Sequence, residues 1–304
     1  MTKLLQDRVA IVTGSGRGLG RSHALELARH GAKVLVNDIG ARQPGSAAEG
    51  VVKEIQALGG EAFAHDADVT NASQVEAMVQ QAVDKWGRVD ILVNNAGILR
   101  DKSFAKMSLD DFRLVMDVHV MGAANCTHAV WNLMRAQNYG RIVMTTSSTG
   151  LYGNFGQANY GAAKMALVGL MQTLALEGER NNVRVNCLAP TAATAMTEEL
   201  LTPEDLALLE PTCVSPGLVA LVIEDAPTRT ILLAGAGGFE QAHITMTKGI
   251  FLTHEDLNAE TVIERLAEIS DRDGETVPAT GFDQLRHEVA KARSQRESSL
   301  ENVQ

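Results

Sequence analysis

A hydroxyl, a phenol and an ammonium group lie close together in the stretch 147–164, which reads SSTGLYGNFGQANYGAAK. Tyr160 and Lys164 are four residues apart, so a helix that begins near Asn159 places both side chains on one face. Because a nearby cation favours the ionised form of a phenol, we expect Lys164 to lower the pKa of Tyr160 toward neutrality. Tyr160 is then suited to exchange a proton with an alcohol or a carbonyl group.

Ser147 lies at the end of a predicted strand. It follows the apolar run 141–144, and a hydroxyl in that place can hold the oxygen atom of a substrate; Ser148 is a near-equivalent neighbour. A Tyr–Lys pair is common at the start of an amphipathic helix, so this stretch alone does not establish an enzyme. The interpretation depends on a nucleotide-binding signature elsewhere in the chain.

The beginning of the chain supplies such a signature. Residues 9–12 form a β-branched run, 13–20 read TGSGRGLG, and a helical pattern then continues to Gly31. Glycines let the backbone approach a pyrophosphate closely, and the N-terminus of the following helix offers free N–H groups and the positive end of a dipole. This order of strand, glycine turn and helix predicts a dinucleotide site.

The residues that follow indicate which dinucleotide. Residues 33–37 read as a second strand, and Asp38 ends it, where a carboxylate can accept a hydrogen bond from the adenosine ribose. Arg17, in the glycine turn, could instead attract a 2′-phosphate, and Arg42 offers a second cation. A carboxylate at the ribose repels a phosphate at close range, whereas an arginine can turn into solvent. We therefore expect NAD rather than NADP.

Strand and helix patterns alternate along the rest of the core. Helices are predicted at 48–58 and 72–86, strands at 61–64 and 89–93, and a last strand at 231–234 with its turn at 235–238. This alternation predicts an α/β fold, a Rossmann-type doubly wound parallel sheet with helices on both faces. Asp68 and Val69 fall where a loop can touch adenine, and the sequence 94–97, NNAG, falls at the carboxyl end of the fourth strand.

Composition excludes several classes of protein. The chain has 304 residues, 45% of them hydrophobic, and a formal net charge of −10, which argues against a nucleic-acid partner or an anionic membrane surface. Three widely spaced cysteines indicate reduced thiols, and the histidines form no ligand-spaced pair, so we expect no metal site. Without a signal peptide, a membrane span or a peroxisomal address at 301–304, the chain is expected to be soluble and cytoplasmic.

These motifs together resemble the short-chain dehydrogenase/reductase superfamily over roughly residues 1–240. The phrases NNAGILRDKSF, YGRIVMTTSS and APTAATAMT are most similar to the (3R)-hydroxyacyl-CoA dehydrogenase units of β-oxidation enzymes. The resemblance implies oxidation of a (3R)-3-hydroxyacyl-CoA with hydride transfer to NAD, Tyr160 as the acid–base, Lys164 holding the nicotinamide ribose and Ser147 orienting the substrate. The predicted cofactor-binding residues are Gly14, Arg17, Gly18, Leu19, Gly20, Asp38, Asp68, Val69, Asn94, Ala96, Gly97, Tyr160, Lys164, Pro190, Thr191 and Thr194.

Two positions depart from the superfamily pattern. His119 stands where an asparagine usually links the lysine to solvent; it either relays protons or is an interior imidazole satisfied by a backbone carbonyl. Pro190 is followed by Thr191 where Pro-Gly is common, and Thr194 is expected to reach the carboxamide or the phosphates. The helix-prone insertion 192–211 occupies the place of the substrate lid, and its leucines line an acyl pocket or pack inward.

The remainder, 241–304, is predicted as a helical extension that packs on the core or on a partner subunit. Thr253 to Asp256 resembles a capping box that opens a helix, and a second amphipathic pattern follows at Phe282. The resemblance favours a homodimer, with a tetramer as the alternative. The rival functions are a 17β-hydroxysteroid dehydrogenase, an NADP-dependent 3-ketoacyl reductase and a catalytically silent dinucleotide-binding protein.

Overall fold

The computed structural model describes residues 3–41, 43–193 and 202–301. Two compact units are present, Met1–Ala242 and His243–Gln304. The division into domains predicted at residue 240 stays a prediction, because compactness alone does not make a domain that folds independently.

Within the described residues, eight strands of the first unit form one sheet in the order β3-β2-β1-β4-β5-β6-β7-β8. All neighbouring strands are parallel except β7 and β8, which are antiparallel. The α/β fold class predicted from the alternation is confirmed. The strands are β1 Val9–Val12, β2 Lys33–Asn37, β3 Ala62–His65, β4 Ile91–Asn94, β5 Gly140–Thr145, β6 Val183–Thr191, β7 Ile231–Gly235 and β8 Gly238–Ala242.

Helices cover both faces of this sheet. The alternation along β1 shows why: Ala10 and Val12 belong to one buried cluster, and Val9 and Ile11 belong to another on the opposite face. The first cluster includes side chains of α1, α2 and α9, and the second those of α3, α5 and α7. The helices are α1 Gly18–Arg29, α2 Ala47–Ala57, α3 Ala72–Trp86, α4 Leu109–Met116, α5 Gly122–Gln137, α6 Ser148–Tyr152, α7 Ala158–Gly178, α8 Pro203–Leu208 and α9 Ser215–Ala220.

The prediction that residues 231–234 form the last strand was wrong. Strand β7 extends to Gly235, and the chain then reverses through Ala236 and Gly237 into β8. Both turn residues have positive φ, 49° and 82°, which is the geometry of a tight hairpin turn that matches the twist of the two strands. The predicted turn therefore joins two strands of the sheet.

The second unit is helical, with α10 Ala259–Glu264, α11 Leu266–Ile269 and α12 Phe282–Glu301. The capping box predicted at Thr253 does not open a helix, because the Thr253 hydroxyl donates to Asp256 within a turn. The cap of α10 is Asn258, whose side chain accepts a hydrogen bond from the Thr261 amide at 2.8 Å. The second predicted helix, at Phe282, is confirmed.

Candidate active site

The predicted site residues follow the carboxyl ends of four neighbouring parallel strands. The glycine turn follows β1, the NNAG sequence starts at the last residue of β4, Ser147 lies two residues after β5, and Pro190 and Thr191 end β6. The strand order reverses between β1 and β4, and a crevice at that point is where doubly wound sheets bind ligands. The topology therefore gathers these segments at one edge.

The glycine turn is tied to the end of β4 by Thr13 and Asn95. The Thr13 hydroxyl accepts hydrogen bonds from the backbone N–H groups of Asn95 and Ala96, both at 3.0 Å. The Asn95 side chain donates to the backbone oxygens of Thr13 at 2.9 Å and of Gly14 at 3.0 Å. The prediction named Asn94, whose amide instead donates to Thr127 and Met144. A cofactor contact by Asn94 stays a prediction.

Two of the glycines are required by close packing. Gly14 has φ +60°, and a Cβ there would lie 2.8 Å from the Ala96 Cα atom. A Cβ at Gly20 would lie 2.3 Å from the Gly14 oxygen and 2.5 Å from the Asn95 amide nitrogen. Side chains at either position would push β1, α1 and β4 apart, so glycine keeps the turn compact.

Asp38 closes the far side of the turn. Its Oδ2 atom accepts a hydrogen bond from the Gly16 backbone N–H at 2.8 Å, and a Cβ at Gly16 would lie 2.6 Å from that oxygen. Arg17, the N-cap of α1, is exposed and makes no side-chain capping bond to the described residues. An uncapped helix N-terminus with glycines before it and a carboxylate at the end of β2 fits a dinucleotide, so these residues would hold its phosphates and ribose.

Other predicted cofactor contacts lie at the same edge. Asp68 follows β3 and accepts hydrogen bonds from the Thr70 amide and hydroxyl at 2.9 and 2.8 Å, which fixes the loop that carries the buried Val69. Gly18 has φ +50° and begins α1, where Leu19 is half-buried. The predicted contact of Thr194, the second cation Arg42 and part of the lid, 194–201, lie outside the described residues.

Ser147, Tyr160 and Lys164 come together beside the end of β5. Helix α7 starts at Ala158, so Tyr160 and Lys164 share a face as predicted, and the Lys164 Nζ atom lies 5.4 Å from the centroid of the tyrosine ring. The same Nζ atom donates to the Thr145 backbone oxygen at 2.6 Å. Ser147 caps α6 and is buried, whereas Ser148 is exposed, so the two serines that looked equivalent differ in burial.

The expected lowering of the Tyr160 pKa was wrong. Burial raises the pKa of Tyr160, a hydrogen bond with Ser147 opposes this rise, and the negative charge of Asp101 adds to it. Burial also lowers the pKa of Lys164 to about 7. Desolvation disfavours the charged form of each group, so both side chains tend toward neutrality in this environment.

His119 packs against Tyr160. Its ring lies edge-to-face with the ring of Tyr160, with centroids 5.3 Å apart, in a π-helical turn, Asp117–Met121, between α4 and α5. The Nε2 atom lies 2.9 Å from the Ile98 backbone oxygen and 3.1 Å from the Ile98 nitrogen. Burial and the charge of Lys164 lower the pKa of His119 to about 3. The lowered pKa and the Ile98 contact favour a neutral imidazole, bound to the backbone through Nε2 alone, because the buried Nδ1 atom has no hydrogen-bond partner among the described residues.

The start of α7 contains two polar side chains, bonded to the loop after β4, that the sequence reasoning missed. Gln157 is buried; its amide donates to Asp101 at 2.6 Å and accepts from the Thr149 hydroxyl at 3.0 Å. Asn159 is fully buried and donates to the Arg100 backbone oxygen at 3.0 Å. Their nearness to Tyr160 in the sequence was the only available signal, since their partners lie more than fifty residues earlier.

The described part of the chain offers neither a membrane span nor a metal cluster. No helix within it is long and apolar enough to cross a membrane, and no three His, Cys, Asp or Glu side chains are grouped to hold a metal ion.

The fold and the site define a dinucleotide-binding α/β oxidoreductase. Residues 8–205 match the family described as short chain dehydrogenase, and the chain belongs to that family. Its members use a nicotinamide cofactor, either NAD or NADP.

The similarity to known proteins extends well beyond the residues that match the family. The chain is 43% identical over 295 residues to the peroxisomal multifunctional enzyme A of Dictyostelium discoideum, covering 95% of this chain and 66% of that protein. The structure of full-length peroxisomal multifunctional enzyme type 2 from Drosophila melanogaster has a TM-score of 0.77 at 38% identity, covering 98% of this chain and 50% of that one. The chain therefore spans between half and two thirds of the length of these larger relatives.

The structure of a smaller relative is that of a complex with its ligands. A 7α-hydroxysteroid dehydrogenase complexed with NADH and 7-oxo glycochenodeoxycholic acid has a TM-score of 0.70 at 33% identity, covering 78% of this chain and 96% of that one. The dehydrogenase core is thus common to relatives of different length.

Proposed function

We propose that the chain oxidises a secondary alcohol with NAD, and that the alcohol is a (3R)-3-hydroxyacyl-CoA, which becomes a 3-ketoacyl-CoA. The observation that carries the proposal is the meeting of Ser147, Tyr160 and Lys164 at the sheet edge that also carries the glycine turn. A hydroxyl, a phenol and an ammonium group in this arrangement can bind an alcohol oxygen and remove its proton.

Each of the three groups has a part in this chemistry. The Ser147 hydroxyl orients the substrate oxygen, and Tyr160, in its ionised phenolate form, takes the hydroxyl proton. A nicotinamide cofactor supplies a hydride acceptor when it is bound. Burial raises the pKa of Tyr160, so the phenol is protonated at neutral pH and the oxidative direction gains from alkaline conditions. Lys164 holds the nicotinamide ribose in this proposal.

The preference for NAD rests on Asp38. Its carboxylate lies against the Gly16 amide at 2.8 Å, at the place where the turn meets the adenosine ribose. A 2′-phosphate would bring negative charge to this carboxylate, and at short range that repulsion is costly. The exposed Arg17 is free to turn into solvent, so it does not offset the repulsion.

The choice of an acyl-CoA substrate is supported by likeness. The similarity to multifunctional enzymes covers 95% or more of the chain, whereas the match to the steroid dehydrogenase covers 78% of it. The phrases that resemble hydroxyacyl-CoA dehydrogenases surround the reacting groups. A hydroxysteroid dehydrogenase is the second candidate, favoured by the likeness to the 7α-hydroxysteroid enzyme.

The proposal is tested by initial rates of NADH formation. Short and long (3R)-3-hydroxyacyl-CoA, a 17β- and a 7α-hydroxysteroid and the matching NADP reactions are compared. Turnover of the CoA thioesters with NAD is expected. Turnover of a steroid alone would support the second candidate, and preference for NADP would support a ketoacyl reductase. Tyr160→Phe should bind NAD normally and lose turnover; if it keeps full activity, Tyr160 is not the acid–base.

A homodimer and a docking role for residues 241–304 remain proposals by resemblance, and a cytoplasmic location remains a prediction from the sequence. Sedimentation at several concentrations measures the assembly, and a truncation after residue 242 measures whether the second unit is needed for stability or turnover.

A further inference from the structure

The segment that follows β4 is fastened to the start of α7 at three successive residues. Asn159 donates to the Arg100 backbone oxygen at 3.0 Å, Gln157 to the Asp101 carboxylate at 2.6 Å, and the Lys102 amide to the Gly156 oxygen at 2.9 Å. Asn159 immediately precedes the catalytic tyrosine. Residues 100–102 are therefore held beside the reacting groups.

Side chains alternate along this segment, as they do in any extended chain. Asp101 turns toward Gln157, while Arg100 and Lys102 turn to the other side and approach the same carboxylate, Asp111, at 3.9 and 4.0 Å. We call Arg100 and Lys102 the cationic pair. Both of its members face α4 from the rim of the site.

The charge on this side of the loop is unbalanced. Asp111 is one carboxylate against two cations, and it also accepts a hydrogen bond from the Ser108 hydroxyl at 2.8 Å. The next cation on α4, Arg113, has its own partner in Asp110 at 3.2 Å. The side chains of the cationic pair are 50% and 59% exposed. Both members of the cationic pair are therefore accessible to an anion, on the side of the loop away from the Asp101 carboxylate.

We propose that the cationic pair binds the phosphate groups of the coenzyme A moiety, an inference that rests on the proposed acyl-CoA function. Coenzyme A carries a pyrophosphate and a ribose 3′-phosphate, and a chain with a net charge of −10 repels such a ligand unless positive charge is concentrated at the entrance. A guanidinium matches two phosphate oxygens at once, and an ammonium adds a point charge.

The test compares two thioesters of the same acid. The (3R)-3-hydroxyacyl group is presented on coenzyme A and on N-acetylcysteamine, which has the thioester and one amide but no phosphate. In the double variant Arg100→Gln, Lys102→Gln we expect the ratio of kcat/KM for the two thioesters to fall about tenfold, which corresponds to about 1.4 kcal/mol. The loss should lie in KM, and added salt should weaken the wild type more than the variant.

The control double variant, Lys85→Gln with Arg135→Gln, removes the same charges from the last turns of α3 and α5. Those turns lie at the opposite edge of the sheet, so the ratio of kcat/KM for the two thioesters should stay unchanged in this control variant. If the ratio of kcat/KM for the two thioesters falls equally in both double variants, or in neither, phosphate binding by the cationic pair is refuted. Dephospho-coenzyme A thioesters then show which phosphate is bound.

Calorimetry of free coenzyme A separates this inference from the proposed function. If the wild type oxidises no acyl-CoA but binds coenzyme A, and the Arg100→Gln, Lys102→Gln variant binds it about tenfold more weakly, the phosphate site stands and the reaction assignment fails. If the wild type and the variant bind coenzyme A equally, the phosphate site is refuted whatever the reaction.

Discussion

Replacing Gly97 with alanine should destabilise the protein by pushing His119 out of place. A Cβ at residue 97 would lie 2.3 Å from the His119 Cε1 atom and 3.0 Å from its Nδ1 atom. The imidazole cannot retreat freely, since it is 2% exposed, anchored to Ile98 through Nε2 and packed on the ring of Tyr160. The conflict is one of space alone, because the φ of Gly97 lies outside the left-handed region.

The size of the effect follows from the packing. Forcing one extra methyl into a full core costs about 1–3 kcal/mol. For a protein of this size each kcal/mol moves the melting temperature by roughly 2–4 °C, so Gly97→Ala should melt about 2–12 °C lower. The displaced ring also shifts Tyr160, so kcat should fall by more than the loss of folded protein explains.

Thermal unfolding followed by circular dichroism, together with initial rates at 25 °C, measures both effects. The matched control is Gly50→Ala in α2, where a Cβ meets nothing within 4 Å and alanine should stabilise the helix by about 0.5–1 kcal/mol. If Gly97→Ala has the melting temperature and the kcat of the wild type, the tight packing of His119 against residue 97 is refuted.

Three further substitutions test charge in the site. Asp38→Ser should lower the ratio of kcat/KM for NAD over NADP at least tenfold, since it removes the repulsion of a 2′-phosphate; an unchanged ratio would show that Asp38 does not select the cofactor. Lys164 has a folded pKa of about 7, below its usual 10.5, so the unfolded chain binds the extra proton between these values and wild-type stability should rise with pH there. Lys164→Met should flatten the rise of the free energy of unfolding, measured with urea from pH 7 to 9. Equal slopes in the two proteins would contradict the lowered pKa of Lys164. Asp101→Asn removes a charge that raises the pKa of Tyr160, so the pH midpoint of alcohol oxidation should move to lower pH; no movement would mean that Asp101 does not act on Tyr160.

The fold was largely predictable because its strands are buried on both faces. β1 and β2 are short β-branched runs between glycine turns, and their predicted bounds are those observed; the same holds for α3. The polar strand β8 was missed, since the sequence GFEQA has neither an apolar run nor clear alternation. Its existence depends on pairing with β7 through a turn whose two positive φ values the sequence does not reveal.

The site was predictable where spacing along one helix decides it. Tyr160 and Lys164 meet because four residues make about one helical turn, and this spacing can be read directly from the sequence. Which of Asn94 and Asn95 binds the glycine turn depends instead on where β4 ends, because a shift of one residue reverses the direction of a side chain. The tyrosine pKa was misjudged for a related reason: burial is a tertiary property, and here it outweighs the helical neighbour.

Lys164 is held by hydrogen bonds that involve backbone groups, and the sequence pattern does not reveal such bonds. Its Nζ atom donates to the Thr145 oxygen at 2.6 Å, and its own backbone oxygen accepts from the Thr146 hydroxyl at 2.7 Å. A Cβ at Gly150 would lie 2.8 Å from the Lys164 Cβ atom, so α6 lies directly against the lysine. The end of β5 and the residue after it therefore fix Lys164 at its Nζ atom and at its backbone oxygen, and with it the start of α7. Burial of the amine makes its charged form costly and lowers the pKa of Lys164 to about 7, while the Thr145 carbonyl oxygen gives the Nζ atom one hydrogen-bond acceptor.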